Sequence, residues 1–234
     1  TRFINREISW LSFNERVLQE AQDTSVPLIQ RLRFLGIFSN NLDEFFRVRV
    51  ATVNRLYQLN KSLGTVSEED PKRILKEIAV VLKAQQQVFE NTFHSLLESL
   101  KKEKIVFLNE KQLTDYQGEL VRTYFNEKIR QTLIPIMLEF VPQFPTLRDD
   151  VIYLAVKLHN GDSNKKKTFS LIEIPTKNNG RFFVIPDGSD TTNIILIDDV
   201  VRYCLDTIYS NFYFDFKEAF TFKITRDAAF DLDH

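Results

Sequence analysis

The sequence predicts an α+β protein in two parts: an N-terminal α-helical bundle over residues 1–104 and an α+β domain with a mainly antiparallel sheet over residues 105–234. Three observations carry this. Apolar residues recur at helical spacing through nearly all of the first hundred positions, which hold two Gly (Gly36, Gly64) and two Pro (Pro27, Pro71). The texture changes at Ile105-Val106-Phe107-Leu108, a short apolar run suited to a strand or linker. Beyond Pro145 come short runs rich in β-branched and aromatic residues, separated by turn-forming residues.

In the first helix Trp10, Phe13, Val17 and Ala21 form one apolar stripe, with Ile8, Leu11 and Leu18 beside it. Ser12-Phe13-Asn14-Glu15 has capping-box spacing, which places the helix start near Ser9 or Ser12. Pro27 suits the first turn of a second helix, where a missing N–H costs nothing, and Leu28, Leu32 and Leu35 give that helix an inward face. It is expected to end between Gly36 and Ser39. A third helix is expected from about Leu42, capped by Asn40 or Asn41, with Asp43 and Glu44 in its favourable first turn and Phe46, Val50, Val53 and Tyr57 inward. Arg47, Arg49 and Arg55 make its outer side basic. Residues 60–70 read as a loop around Gly64, and Asp70-Pro71 opens the longest helix. There the apolar period from Ile74 through Ile78, Leu82, Phe89 and Leu96 to Leu100 holds for about thirty residues.

In the second part, Thr114 to about Arg130 reads as a helix that Pro135 stops or kinks. Strands are expected at 151–158, 168–174, 181–185, 193–197 and 220–225. The first two flank a polar turn, residues 159–167, and should pair as an antiparallel hairpin. One helix interrupts the strands, beginning at Asp198-Asp199 and carrying Val200, Val201, Cys204, Leu205 and Ile208.

Composition narrows the function. With 234 residues, 43% hydrophobic and 27% charged, the chain has the make-up of a globular protein. Its 31 Lys+Arg balance 32 Asp+Glu, so it lacks the basic excess that advertises a nucleic-acid binder. The single cysteine, Cys204, excludes an internal disulfide framework and a Cys-based zinc cluster and suits a reducing compartment as core filler. No apolar run approaches the roughly 18 residues of a membrane span, and Thr1-Arg2-Phe3-Ile4-Asn5 lacks the apolar stretch of a signal peptide. A cytoplasmic location is expected, with peripheral membrane association left open.

The chemical inventory is mostly negative. There is no G-x-x-x-x-G-K-[ST] phosphate loop, no G-x-G-x-x-G turn and no G-x-S-x-G elbow among six glycines. His94, His159 and His234 are far apart, and none has metal-ligand spacing, so packing or surface roles are expected for all three. The acid pairs Glu68-Glu69-Asp70, Asp149-Asp150 and Asp198-Asp199 sit at loops and helix starts, where capping and solvation explain them. Lys165-Lys166-Lys167 reads as a solvated turn before it reads as a phosphate contact. The anomaly is Ser39-Asn40-Asn41-Leu42-Asp43-Glu44-Phe45-Phe46-Arg47: two adjacent amides, one more than a cap requires, followed by acids and arginines. A spare Asn amide offers the donor and acceptor pair that reads an adenine edge, although chemistry alone favours capping.

At these residues the sequence resembles a known family. Residues 5–21 (NREISWLSFNERVLQEA) and 27–45 (PLIQRLRFLGIFSNNLDEF) closely resemble the start of bacterial polyphosphate kinase. Asn109-Glu110, Gln112-Leu113, residues 198–206 and Thr225-Arg226-Asp227-Ala228 resemble it too, with 160–192 the least diagnostic stretch. The resemblance implies an enzyme that reversibly moves the terminal phosphate of ATP onto inorganic polyphosphate through a phosphohistidine, with Mg2+. It implies that this chain is the helical N-terminal domain plus most of the head domain, without the catalytic C-terminal half. No residue here is then catalytic or a metal ligand, and the chain alone is expected to be inactive.

The resemblance further implies that Asn41 contributes to the nucleotide site near the adenine, leaving Asn40 as the better cap. Arg47 and Arg49 are weaker candidates beside it. The head domain is expected to carry an apolar surface and take part in a homo-oligomer. Partners are then ATP, ADP and polyphosphate, with no nucleic acid and no transmembrane segment. One alternative is a non-catalytic helical adaptor whose partner-binding face is the 42–57 helix; the ending Asp231-Leu232-Asp233-His234, in mid-pattern, favours truncation over it. A single-strand nucleic-acid binder would need exposed aromatics on the sheet, whereas the strand aromatics sit mainly within apolar runs.

Overall fold

The structure is a computed structural model that describes residues 4–64, 70–149, 151–159, 167–212 and 214–228. Contacts divide the chain into two units, Thr1–Lys102 with Thr225–His234, and Glu103–Ile224. Residues 225–228 therefore group with the first unit, whereas the sequence-based boundary puts them in the second.

The first unit is helical. Helix α1 (Arg6–Gln22) starts one turn before Ser9, because the Asn5 side chain accepts from the Glu7 N–H at 2.9 Å. Ser12 caps nothing; its hydroxyl donates to the Ile8 carbonyl inside the helix. The buried face of α1 is Glu7, Leu11, Asn14, Leu18 and Ala21, so Phe13, expected inward, is 62% exposed. The helix is rotated because its interior holds two polar residues that find partners there.

Helix α2 (Leu28–Glu44) does not end at Gly36. It runs through a π-helical turn, Phe45–Val50, into α3 (Ala51–Leu63), giving one continuous helical stretch. Neither Asn40 nor Asn41 is a cap. The local signature of Gly36 and the Asn40-Asn41-Leu42-Asp43 run is overridden by the inward row Leu35, Phe38, Leu42 and Phe45, whose burial against α1 and helix α4 (Pro71–Lys102) needs the helix to continue. Phe45, on that row, is buried and Phe46 is 42% exposed, and the π-turn then carries the inward face on to Val53. Gly64, at φ 65°, ends α3 in the left-handed conformation that glycine adopts without strain. In α4, Ile74, Ile78, Gln85, Thr92, Leu96 and Leu100 face inward, matching the expected period.

The second unit holds two sheets. Strands β2 (Ile136–Met137), β3 (Ile152–His159), β4 (Thr168–Glu173) and β7 (Phe216–Lys223) form an antiparallel sheet in the order β2-β4-β3-β7. The expected hairpin is β3 with β4, in register from Tyr153 opposite Glu173 to Leu158 opposite Thr168. A second sheet, β1 (Ile105–Leu108), β6 (Thr192–Leu196) and β5 (Phe182–Ile185), is mixed: β1 runs parallel to β6.

Helix α5 (Asp115–Tyr124) opens on a full capping box, Thr114 with Gln117, and passes through a π-turn, Phe125–Ile129. Gln117 also donates to Asp187 at 2.6 Å, as does Asn193, and these hydrogen bonds hold the Asp187 carboxyl below its ordinary range. Between them they pin the turn that follows β5. Gly118 is required by a close approach: a Cβ there would lie 2.0 Å from the Tyr203 hydroxyl. After the four-residue helix α6 (Thr176–Asn179), helices α7 (Ile197–Tyr203) and α8 (Leu205–Ile208) supply the interrupting helical segment. Val121, Phe125, Leu154, Ile172, Ile195 and Val200, all fully buried, centre the core of this unit.

Candidate functional site

Asn41 stands one turn before the end of α2, half-buried, facing α1. Its side-chain Nδ2 donates to Asn14 Oδ1 at 2.8 Å. Asn14 is completely buried and its own Nδ2 donates to the Phe38 carbonyl at 3.2 Å. A relay of two amides thus runs from the backbone of α2 through the interior face of α1 and back to α2. Asn40, next in sequence to Asn41, is exposed and points away from this relay.

Further polar groups on the same helices are committed to holding the unit together. Glu7, 5% exposed, takes Arg49 at 3.1 Å, and the Arg49 guanidinium lies 6.0 Å from the centre of the Trp10 ring. Arg55 reaches both carboxylate oxygens of Asp227 at 3.0 Å. Buried Arg31 donates to the carbonyls of Ala21 and Gln22, closing the end of α1. Gln85 ties α4 to the middle of α1, donating to the Leu11 carbonyl at 3.1 Å. Beside Asn41's helix face, Phe38, Leu42, Phe46, Leu82 and Phe89, with Ser39 and Gln86, enclose an apolar cleft of about 210 Å³. Gln86 is already engaged with Glu90 at 3.0 Å.

In the second unit the Asp198-Asp199 pair belongs to a charge cluster rather than to a helix cap. Asp198, 5% exposed, accepts from Arg181 at 2.5 Å and from the Thr221 hydroxyl at 3.0 Å. Arg202 pairs with Asp199, lies 3.6 Å from Glu110, and donates to the Thr221 hydroxyl at 2.7 Å. Burial, then the neighbouring Asp198 charge, raise the Asp199 carboxyl to about 6 against the opposing pull of Arg202. No group of three or more His, Cys, Asp or Glu among the described residues has the arrangement to hold a metal ion.

The histidines are not brought together. His94 is exposed on α4, the surface role of the two expected for it, and His159 ends β3 with Nε2 3.8 Å from Glu218. His234, Lys165, Lys166, Glu68, Glu69 and Asp150 lie outside the described residues. Asp149 and Asp70 are described, and the Asp70 side chain accepts from the Lys72 N–H at the start of α4. Cys204 is buried, which pushes its thiol up to about 12.

Asn14 is the residue that sequence reasoning passes over. Its signal was present: it falls on the row 7-11-14-18-21, four to three residues apart, where every other member but Glu7 is apolar. A polar residue on such a row must find a partner inside.

Comparison with known proteins follows the same division. Residues 3–108 match the family model of the polyphosphate kinase N-terminal domain, and residues 116–234 match that of the polyphosphate kinase middle domain. Polyphosphate kinase of Vibrio cholerae is 42% identical over 236 residues, covering 99% of this chain and 33% of that protein. That of Escherichia coli K12 is 42% identical over 239 residues, covering 99% of this chain and 34% of its own length. The crystal structure of polyphosphate kinase from Porphyromonas gingivalis superimposes with a TM-score of 0.83 at 29% identity, over 97% of this chain and 33% of that one. The chain thus spans about a third of the length of the relatives it matches.

Proposed function

The chain belongs to the polyphosphate kinase family, and from that premise we propose that it serves as the nucleotide-positioning and assembly part of an enzyme that reversibly transfers the terminal phosphate of ATP to inorganic polyphosphate. Asn41 is the residue that meets the adenine. The observation that carries this assignment is its side chain: it caps no helix, and its amide is held by Asn14 rather than spent on its own backbone. An Asn amide held in this way keeps an acceptor and a donor for the two adjacent groups on an adenine edge, N6–H and a ring nitrogen. No residue of this chain is assigned to the phosphoryl-carrying histidine or to Mg2+, which enters as the ATP chelate.

Assembly falls to the second unit. Phe182 and Val184 alternate on the edge strand β5 at 53% and 48% exposure, and Phe220 on the edge strand β7 is 61% exposed. Bare apolar strand edges of this kind suit a second copy of the chain. A cytoplasmic location fits ATP as substrate.

The test uses the full reading frame that encodes this chain, and the chain alone beside it, with γ-labelled ATP and Mg2+. Label in polymer from the full frame and none from the chain alone is the expected result; no label from either would turn the reading towards a protein-interaction module. Within the full frame, Asn41→Ala is expected to raise the ATP KM about tenfold, the scale of a bidentate base contact, and to lower the unfolding midpoint modestly, because the buried Asn14 Oδ1 loses its donor. An unchanged KM removes Asn41 from the nucleotide site.

A further inference from the structure

The two amides at the α1–α2 contact are not equivalent, and the chemistry of their third partner fixes which way each one points. The Phe38 carbonyl can only accept, so Asn14 must turn its Nδ2 towards it, as it does at 3.2 Å. With Asn14 completely buried, no water is available to relax that choice. Its Oδ1 is thereby directed at Asn41 and can only accept, so Asn41 must present Nδ2, as it does at 2.8 Å. A flipped Asn41 would set two carbonyl oxygens against each other inside the unit. The Asn41 Oδ1 and its second Nδ2 hydrogen are left on the half-buried side, in one fixed order.

We infer that Asn14 is a positioning residue that locks the amide of Asn41 in the single orientation able to read adenine, and so sets the choice of ATP over GTP. Adenine offers a donor, N6–H, beside a ring acceptor, whereas guanine offers acceptors at both O6 and N7. A free Asn amide can rotate and improve its fit to guanine. One fixed by Asn14 and the Phe38 carbonyl meets guanine O6 with its own oxygen and leaves that pair unsatisfied. The inference rests on the assignment of Asn41 to the adenine and adds to it a cause of specificity lying outside the site.

Steady-state kinetics of the full reading frame with MgATP and MgGTP test it. Asn14→Leu, close in size but without either hydrogen-bonding group, is expected to raise the ATP KM about tenfold with kcat within twofold, and to reduce the ATP-to-GTP ratio of kcat/KM by about tenfold. Asn14→Ser, which keeps an acceptor oxygen, should recover part of the ratio, and decides the matter by that ratio if the Leu variant does not fold. Asn14→Leu combined with Asn41→Ala should be no worse than Asn41→Ala alone, because the two act as one unit. Leu18→Ala, a buried change one turn beyond Asn14 on the same helix that removes no hydrogen-bonding group, supplies the comparison for lost stability.

If Asn41→Ala raises the ATP KM while a folded Asn14→Leu keeps the wild-type KM and ratio, the positioning role is overturned and Asn41 stands. An equal loss of ratio in Leu18→Ala overturns it as well, since general loosening then explains the effect. If Asn41→Ala leaves KM unchanged, the site assignment fails first and the positioning role falls with it.

Discussion

Replacing Arg202 by Leu is expected to destabilise the second unit by about 3 kcal/mol, because it leaves two half-buried carboxylates without the cation they share. The Arg202 side chain is 19% exposed, Asp199 13% and Glu110 17%. Arg202 is the cation shared by those two acids and also holds the Thr221 hydroxyl that donates to Asp198. Its removal leaves Arg181 to answer three acids from one side. The chain carries its own reporter for this unit: Cys204, its single cysteine, is 2% exposed with its thiol raised to about 12, so it reacts with a thiol reagent only when the unit opens. Labelling of Cys204 should accelerate on the order of 10²- to 10³-fold in Arg202→Leu. A rate within threefold of wild type would show that the cluster is solvated and contributes little.

The same cluster predicts a pH dependence with a definite sign. The Asp199 carboxyl is raised from 3.8 in the unfolded chain to about 6 in the fold, chiefly by burial and then by Asp198. Between those values the folded state holds more protons than the unfolded one, so stability rises as pH falls and is lost as pH rises through about 6. From pH 7 to pH 5 the gain from this residue should be about 1 kcal/mol. Asp187 and Glu218, whose carboxyls are lowered, stay ionised in the fold throughout that window; their small contribution runs the opposite way and cancels in the comparison below. Urea unfolding of the wild type at the two pH values, minus the same difference for Asp199→Asn, isolates it; a difference of zero or of opposite sign refutes the assignment.

The sequence made some of this legible and hid the rest for physical reasons. Helix α4 could be read because a single period runs unbroken from Ile74 to Leu100, and the β3–β4 hairpin because its two runs are adjacent with a turn between them. The parallel pairing of β1 with β6 joins Ile105–Leu108 to residues almost ninety positions away, and no local pattern encodes such a partner. The break expected near Gly36 fails for the opposite reason: local chemistry was clear but lost to burial. Asn40-Asn41 followed by Asp43 and Glu44, after a glycine, has the features of a helix start, yet Phe38, Leu42 and Phe45 gain more from staying on one face than the caps would supply. Asn41 was found by resemblance, since a lone amide says little; Asn14 required the coordinates, since only they show what lies opposite it.

Phe45→Ala is expected to be the most damaging single change in the first unit, at about 3–5 kcal/mol. Phe45 is 1% exposed, stacks on Trp10 with ring centres 4.6 Å apart and planes 12° apart, and packs with Leu11, Val53, Ile74 and Ile78 from every helix of the unit. The stack itself is worth about 0.5–1.5 kcal/mol; the remainder is the cavity left between the helices. The adjacent Phe46 meets it edge-on at 6.2 Å but is 42% exposed, and Phe46→Ala should cost less than about 1 kcal/mol. Two neighbouring phenylalanines with such different costs test the inward row of α2, which carries Phe45 into the core and turns Phe46 outward. Trp10 is the single tryptophan of the chain, so its fluorescence reports urea unfolding of this unit alone. Equal midpoints for the two variants would mean that Phe45 is not the ring on the inward row. Because Asn41 stands one turn before Phe45 on the same stretch of helix, the packing of that ring holds the backbone from which the Asn41 amide reaches Asn14.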